Sequence, residues 1–259
     1  MSQEVNFSVD VDGLSVSGRL HRPTSEPNGK VPPAVLLCRA LLDTSEAEGD
    51  LIAAIEHGLV AAGIAVATFD PRIRRGEPEE GQEPPPSPDP VHCAAAVFDW
   101  LTRRVDLDGL RLSVLGHSVG AIVAAGLAHR VDKVHRMCLV SPASPDRLAA
   151  QLTPRNGIPS DASAALNRHL QPLTTVPVSE PLTTHQRQTL IILGATDRAL
   201  QPDSAREYER IAAKAPRNIE LVLVPFADAA FATTTVRQVC VERIVDFFSA
   251  RAPAETVVG

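Results

Sequence analysis

The sequence turns on the stretch Arg111-Leu-Ser-Val-Leu-Gly-His-Ser-Val-Gly120. Leu112, Val114 and Leu115 make a short apolar, β-prone run that stops at Gly116. Ser118 follows, then Gly120, then a helix-forming run rich in alanine. The pattern predicts a strand, a sharp turn and a helix, with Gly-x-Ser-x-Gly at the turn. Strand and helix backbones pass so close in such a turn that a Cβ at 116 or 120 would clash. The serine between them is held on a strained, exposed position, its hydroxyl facing solvent or substrate. A glycine-rich turn that merely holds a serine has the same five residues; the strand before it and the helix after it favour the elbow.

Working outward, the chain alternates strands and helices. Upstream, Ala34–Cys38 is a continuous apolar run, as expected of a strand buried on both faces of a parallel sheet, and Ile64–Phe69 reads as the next buried strand. Between them, residues 50–62 show helical periodicity and end at Gly63. Residues 91–105 read as an amphipathic helix with Val97, Trp100 and Leu101 inward. Residues 4–11 and 13–21 alternate apolar and polar about Asp12-Gly13, which predicts a hairpin. Pro23–Pro33 is a loop by composition, and Arg72–Pro90, charged and proline-rich, reads as a long exposed loop, in part poorly ordered.

Downstream of the elbow come a helix over 119–130 and a strand over 134–140. Ser141–Arg187 breaks the rhythm with seven prolines and only short helical patches such as 162–169. An insertion leaving the sheet at a strand's C-terminal end would lie over the mouth of a site; the alternative is an excursion with no role there. Strand 189–193, helix 203–215, strand 219–224 and helix 235–250 then close the chain. The expected fold is α/β: a mostly parallel twisted sheet of about eight strands, helices on both faces and a cap over 143–187, within one domain spanning 1–259.

Composition narrows the functions. The chain has 259 residues and a net charge of -6, which suits one large domain and argues against a nucleic-acid or anionic-membrane partner. No apolar run approaches the roughly 20 residues of a membrane span. Met1–Asn6 is polar and acidic, so no signal peptide is expected and the location is read as cytoplasmic. Cys38, Cys93, Cys138 and Cys240 lie far apart, without metal-type spacing, and read as buried free thiols. No metal and no cofactor are expected.

The order of elements resembles the α/β-hydrolase superfamily over nearly the whole length, and looks most like its small esterase and acyl-peptidase-like branch with a cap. Three segments carry the resemblance. They are the elbow Gly116-His-Ser-Val-Gly120, the loop Gly194-Ala-Thr-Asp-Arg-Ala-Leu-Gln-Pro202, similar to the family's acid loop, and Ala61-Ala-Gly-Ile-Ala-Val-Ala-Thr-Phe-Asp-Pro-Arg72, similar to a family strand ending in Asp-x-Arg. The resemblance implies acyl transfer, with Ser118 attacking a carbonyl and Asp197 orienting a histidine base. Asp197 follows the serine in chain order, as the family requires. A turn or capping role is the plainer alternative for this aspartate.

Three departures mark the site loops. The family's base follows the last strand, where this chain reads Val224-Pro-Phe-Ala-Asp-Ala-Ala-Phe231, with Ala229 at the histidine position and no histidine after His185. Alanine accepts no proton, and loss of one triad member leaves only residual catalysis. After Cys38 the chain reads Arg39-Ala-Leu41 where the family commonly has His-Gly-x. The Val119 and Leu41 N–H groups would form the oxyanion hole provided Ala40 tolerates the turn. The loop Arg72-Ile-Arg-Arg-Gly76 also lacks two glycines common in relatives.

A relocated base would have to come from His117, beside the serine but diverging from it, from His92, or from His169 and His185 in the insertion; His21, His57, His129 and His135 need no role. Two functions stay open. One is a serine hydrolase of small esters, weak or using a relocated histidine. The other is a hydrolase fold that binds an acyl-like ligand or a partner protein without ordinary hydrolysis. Leu148, Leu152, Ile158, Leu166, Leu170 and Leu173 would suit an apolar acyl group or pack against the core. Substrate and oligomeric state are not legible.

Overall fold

A computed structural model describes residues 2–24, 30–39, 46–70, 88–152, 170–176, 178, 182, 187–197, 202–214 and 218–250. Eight strands form one sheet: β1 Ser2–Val11, β2 Leu14–Pro23, β3 Ala34–Cys38, β4 Ala65–Phe69, β5 Leu112–His117, β6 Arg136–Val140, β7 Gln188–Gly194 and β8 Ile219–Val224. Their spatial order is β1-β2-β4-β3-β5-β6-β7-β8. The β1–β2 hairpin pairs antiparallel with β4, and every pair from β4 to β8 is parallel. Short apolar strands such as Ala-Val-Leu-Leu-Cys form the centre because both of their faces are covered: all five residues of β3, of β4 and of β6 are buried.

Helices cover both faces. On one face lie α2 Pro90–Thr102, α3 Val119–Arg130 and α5 Pro202–Lys214; on the other lie α1 Glu46–Ala61 and α6 Thr234–Ser249. Side chains of the central strands alternate between the two layers. Leu36, Val114 and Leu139 face α2 and α3; Leu37, Leu115 and Val140 face α1 and α6. Each fully buried leucine or valine of this kind contributes roughly 1.5–3 kcal/mol. The four cysteines are free and buried.

The structure shifts several expected boundaries. Helix α1 starts at Glu46, before residue 50, with Glu46 and Glu48 in its first turn, where the positive end of the helix dipole favours them. Helix α2 ends at Thr102, capped by Arg103, and leaves Val105 94% exposed. Trp100 is only half-buried: it stacks on Phe7 of β1 at 4.3 Å, under the Arg104 guanidinium. Val97 and Leu101 do face the core. Strand β6 begins at Arg136, after Val134.

Within the insertion, α4 spans Pro145–Leu152 and a 3-10 turn spans Gln171–Thr175. Leu148, Leu170 and Leu173 are buried in the same core cluster as α2 and α3. Those three side chains therefore pack as core, which resolves their two readings. Ile158, Leu166, the helical patch 162–169 and residues 72–87 of the proline-rich loop lie outside the described residues, as does the Leu152 side chain. Among the described residues no helix is long and apolar enough to cross a membrane.

Candidate functional site

At the C-terminal ends of the parallel strands lie Ser118 after β5, Asp197 after β7 and Ala229 after β8. Strand β5 ends at His117 and α3 begins at Val119, so Ser118 is the whole connection. Its backbone sits at φ 54°, ψ -121°, a region costly for a residue with a Cβ. The conformation is held from both sides. Ser118 N–H donates to Val140 O at 3.0 Å, and Ser118 O accepts from Ala121 N at 3.0 Å and Ala143 N at 3.1 Å. The glycines explain why the turn is so tight. A Cβ on Gly116 would overlap the Gly120 carbonyl and lie 2.5 Å from Ala121 Cα. One on Gly120 would overlap the Cys38 carbonyl and lie 2.5 Å from Arg39 O.

Ser118 is partly exposed, and its side chain makes no capping bond to α3. Among the described residues its hydroxyl has no hydrogen-bond partner. Val119 is buried at the first turn of α3, where a backbone N–H has no acceptor within the helix. Leu41, the other expected oxyanion donor, lies outside the described residues, as do Ala40 and Arg72. Cys38, at the adjoining strand end, is no rival nucleophile, because burial pushes its thiol far above the ordinary range.

Asp197 follows β7 and is 8% exposed. Its N–H donates to Gly194 O at 3.1 Å. Ala229 lies in the loop of residues 225–231, after β8. These two loops are fastened to each other through the backbone. Ala195 N donates to Val224 O at 3.0 Å, and Thr196 donates to Ala227 O at 2.8 Å from both its N–H and its Oγ1. Gly194 allows the approach, since a Cβ there would stand 2.5 Å from the Ala227 and Asp228 carbonyl oxygens.

One contact ties the 225–231 loop to the elbow. His117 Nε2 is 3.1 Å from the Ala229 carbonyl oxygen. A carbonyl only accepts, so this nitrogen carries the proton and Nδ1 is bare. The ring is fully buried, and Nδ1 has no partner among the described residues. Burial holds the His117 pKa below the ordinary value, opposed by the Ala229 bond and by the charges of Glu48 and Asp197.

The sign of that shift makes a prediction. The unfolded chain takes up the His117 proton near pH 6.5, while the folded ring stays neutral to lower pH. The neutral form's stabilisation is complete above that value and is lost as pH falls below it toward the folded pKa. His117→Gln is expected to flatten urea-measured stability against pH below 6.5, by up to about 1.4 kcal/mol per pH unit for one proton. An unchanged slope would show that the ring does not titrate in this way.

Other histidines stand elsewhere. His92 Nε2 lies 3.3 Å from Asp12 Oδ2 in the β1–β2 turn. His21 sits between Glu4 and Glu56. His135 precedes β6, at the opposite end of the sheet. His169 and His185 lie outside the described residues. No group of three or more His, Cys, Asp or Glu among the described residues is arranged to hold a metal.

Two features had no sequence signal. The His117–Ala229 bond joins residues 112 apart, so no local pattern announces it. Ser141, just past the end of β6, has φ 40°, and its buried Oγ has no partner among the described residues. Among the described residues, five non-glycine residues have positive φ: Asp12 is in the hairpin, and Ser118, Ser141, Phe226 and Phe231 line this edge. Backbone strain of this kind concentrates at functional sites.

The sheet order, the two helical layers and the strained strand-to-helix serine define the α/β-hydrolase fold. Solved structures of that fold superpose on nearly the whole chain. Est1E of Butyrivibrio proteoclasticus matches with a TM-score of 0.69 at 17% identity, over 93% of this chain and 96% of that one. An esterase domain from Rhodothermus marinus gives 0.68 at 15%, over 95% and 98%. Dienelactone hydrolase from Anabaena variabilis gives 0.66 at 18%, over 95% and 97%. At such identities the likeness is one of fold. In sequence, two uncharacterized proteins of Mycobacterium tuberculosis, from the CDC 1551 and H37Rv strains, are each 35% identical over 117 residues. That match covers 45% of this chain and 38% of each relative's length. No family model matches the chain.

Proposed function

We propose that the chain binds a small acyl compound, an ester or related carbonyl, at the elbow, with weak or absent ordinary hydrolysis. In this reading Ser118 stands at the nucleophile position and Asp197 at the acid position. The N–H groups of Val119 and Leu41 face the ligand's carbonyl oxygen, and Ala229 occupies the place of the base. Residues 143–187 act as a cap over the site, within one domain spanning 1–259. Buried free thiols suit a reducing compartment such as the cytoplasm.

The observation that carries the reading is the His117–Ala229 bond. It sets the 225–231 loop beside the nucleophile turn, and the side chain at 229 there is a methyl group. The names of the structural neighbours favour the same class: Est1E has been solved with ferulic acid, and others are esterases.

The test is direct. The purified protein is expected to turn over p-nitrophenyl acetate no faster than its Ser118→Ala variant. A robust rate that Ser118→Ala abolishes would overturn the proposal and require a histidine from elsewhere in the chain.

A further inference from the structure

We propose that His117 is a positioning residue: through its Nε2–H it holds the 225–231 loop against the elbow, and this hold depends on the ring remaining neutral. The inference stands on the loop's placement and is independent of whether the site binds or hydrolyses its ligand.

Three observations converge. The loop is bracketed by strained residues, Phe226 at φ 61° and Phe231 at φ 48°, so its conformation must be imposed from outside. At its start, Ala227 is fastened to the β7 loop through Thr196. At its end, Phe231 is buried among α1 and α6, and Ala232 N donates to Asp228 Oδ1 at 3.1 Å. Between those anchors the only described bond reaching back to the elbow is the one from His117 to Ala229 O. The residue preceding the nucleophile thus orders the loop that follows the last strand.

The tautomer makes the hold conditional. A second proton on Nδ1 would have no acceptor among the described residues. The charged groups acting on the ring are Glu48 from α1 and Asp197 from the β7 loop, and both favour a cation. Burial is what disfavours the cation, so a second proton favours the arrangement in which the ring meets water, with the loop released. A buried polar group left unpaired costs on the order of 1–3 kcal/mol, enough to open one loop without unfolding a domain.

Hydrogen exchange read by mass spectrometry tests this without a ligand. His117→Phe keeps a ring but has no donor; His117→Gln keeps an N–H. At pH 7.5 His117→Phe is expected to speed exchange of the 226–232 amides by roughly tenfold, the equivalent of about one hydrogen bond. The β5 and α3 amides should stay protected, and His117→Gln should stay near the parent protein. Corrected for intrinsic rates, the parent loop should also loosen as pH falls below 6.5, while His117→Gln shows no such step. Undisturbed loop protection in His117→Phe would overturn the proposal. So would equal loosening in both variants, which marks lost packing. Should His117→Phe not fold, the ring nitrogens of the parent protein decide: a proton on Nδ1 in place of Nε2, seen by NMR, also overturns it.

Discussion

Replacing Ala229 with histidine is expected to raise p-nitrophenyl acetate hydrolysis by about 10²-fold over the unaltered protein, near the lower end of what general-base catalysis supplies. The double variant Ser118→Ala, Ala229→His should return to background. The expectation rests on the backbone. The Ala229 carbonyl is already fixed by His117, the preceding residues are bound to the Asp197 loop, and the serine is already on its strained turn. On the proposed reading, a new imidazole would need one rotamer and no loop rearrangement. Ala229 is only half-buried, so the added ring need not open the core. A folded Ala229→His protein with no gain would mean that residue 229 does not face the serine, or that the oxyanion donors are out of place.

Gly120→Ala is expected to cost about 3 kcal/mol or more, measured as a fall in the urea midpoint, or to prevent folding. The added methyl would run into the Cys38 and Arg39 carbonyls, backbone atoms of β3 and its exit that no side-chain rotation can move aside. Gly49→Ala is the control. A Cβ there meets nothing within 4 Å, and its place in α1 favours alanine, so a gain of about 0.5–1 kcal/mol is expected. Similar effects at both positions would show that the close approach of elbow and β3 is not what the glycine serves.

The fold was legible because its strands are short, largely apolar and punctuated. Ala34–Cys38 and Ile219–Val224 fall where the sequence places them. The elbow was legible because glycine spacing reports a backbone approach, and the Cβ contacts of Gly116 and Gly120 are that approach. What local pattern missed depends on distant partners. Trp100 has the spacing of a core residue, yet Phe7, from the other end of the chain, draws it into a half-exposed stack. The leucines of the insertion looked the same whether they lined a site or filled a core; only their contacts with α2 and α3 separate the two. His117 was set aside because neighbouring residues on a sharp turn diverge. They do diverge, and the divergence brings its ring to Ala229.

The fastenings around Ala229 run through main-chain amides and carbonyls, joined by the side chains of Thr196 and His117. None of them uses the side chain at 229. In a selection for folded, abundant protein, histidine and alanine at that position are close to equivalent. On the proposed reading, a lineage carrying this scaffold could gain or lose a proton acceptor there with little trace in stability. Screens that score solubility or melting temperature would pass over residue 229, and only an assay of chemistry at Ser118 would register the exchange.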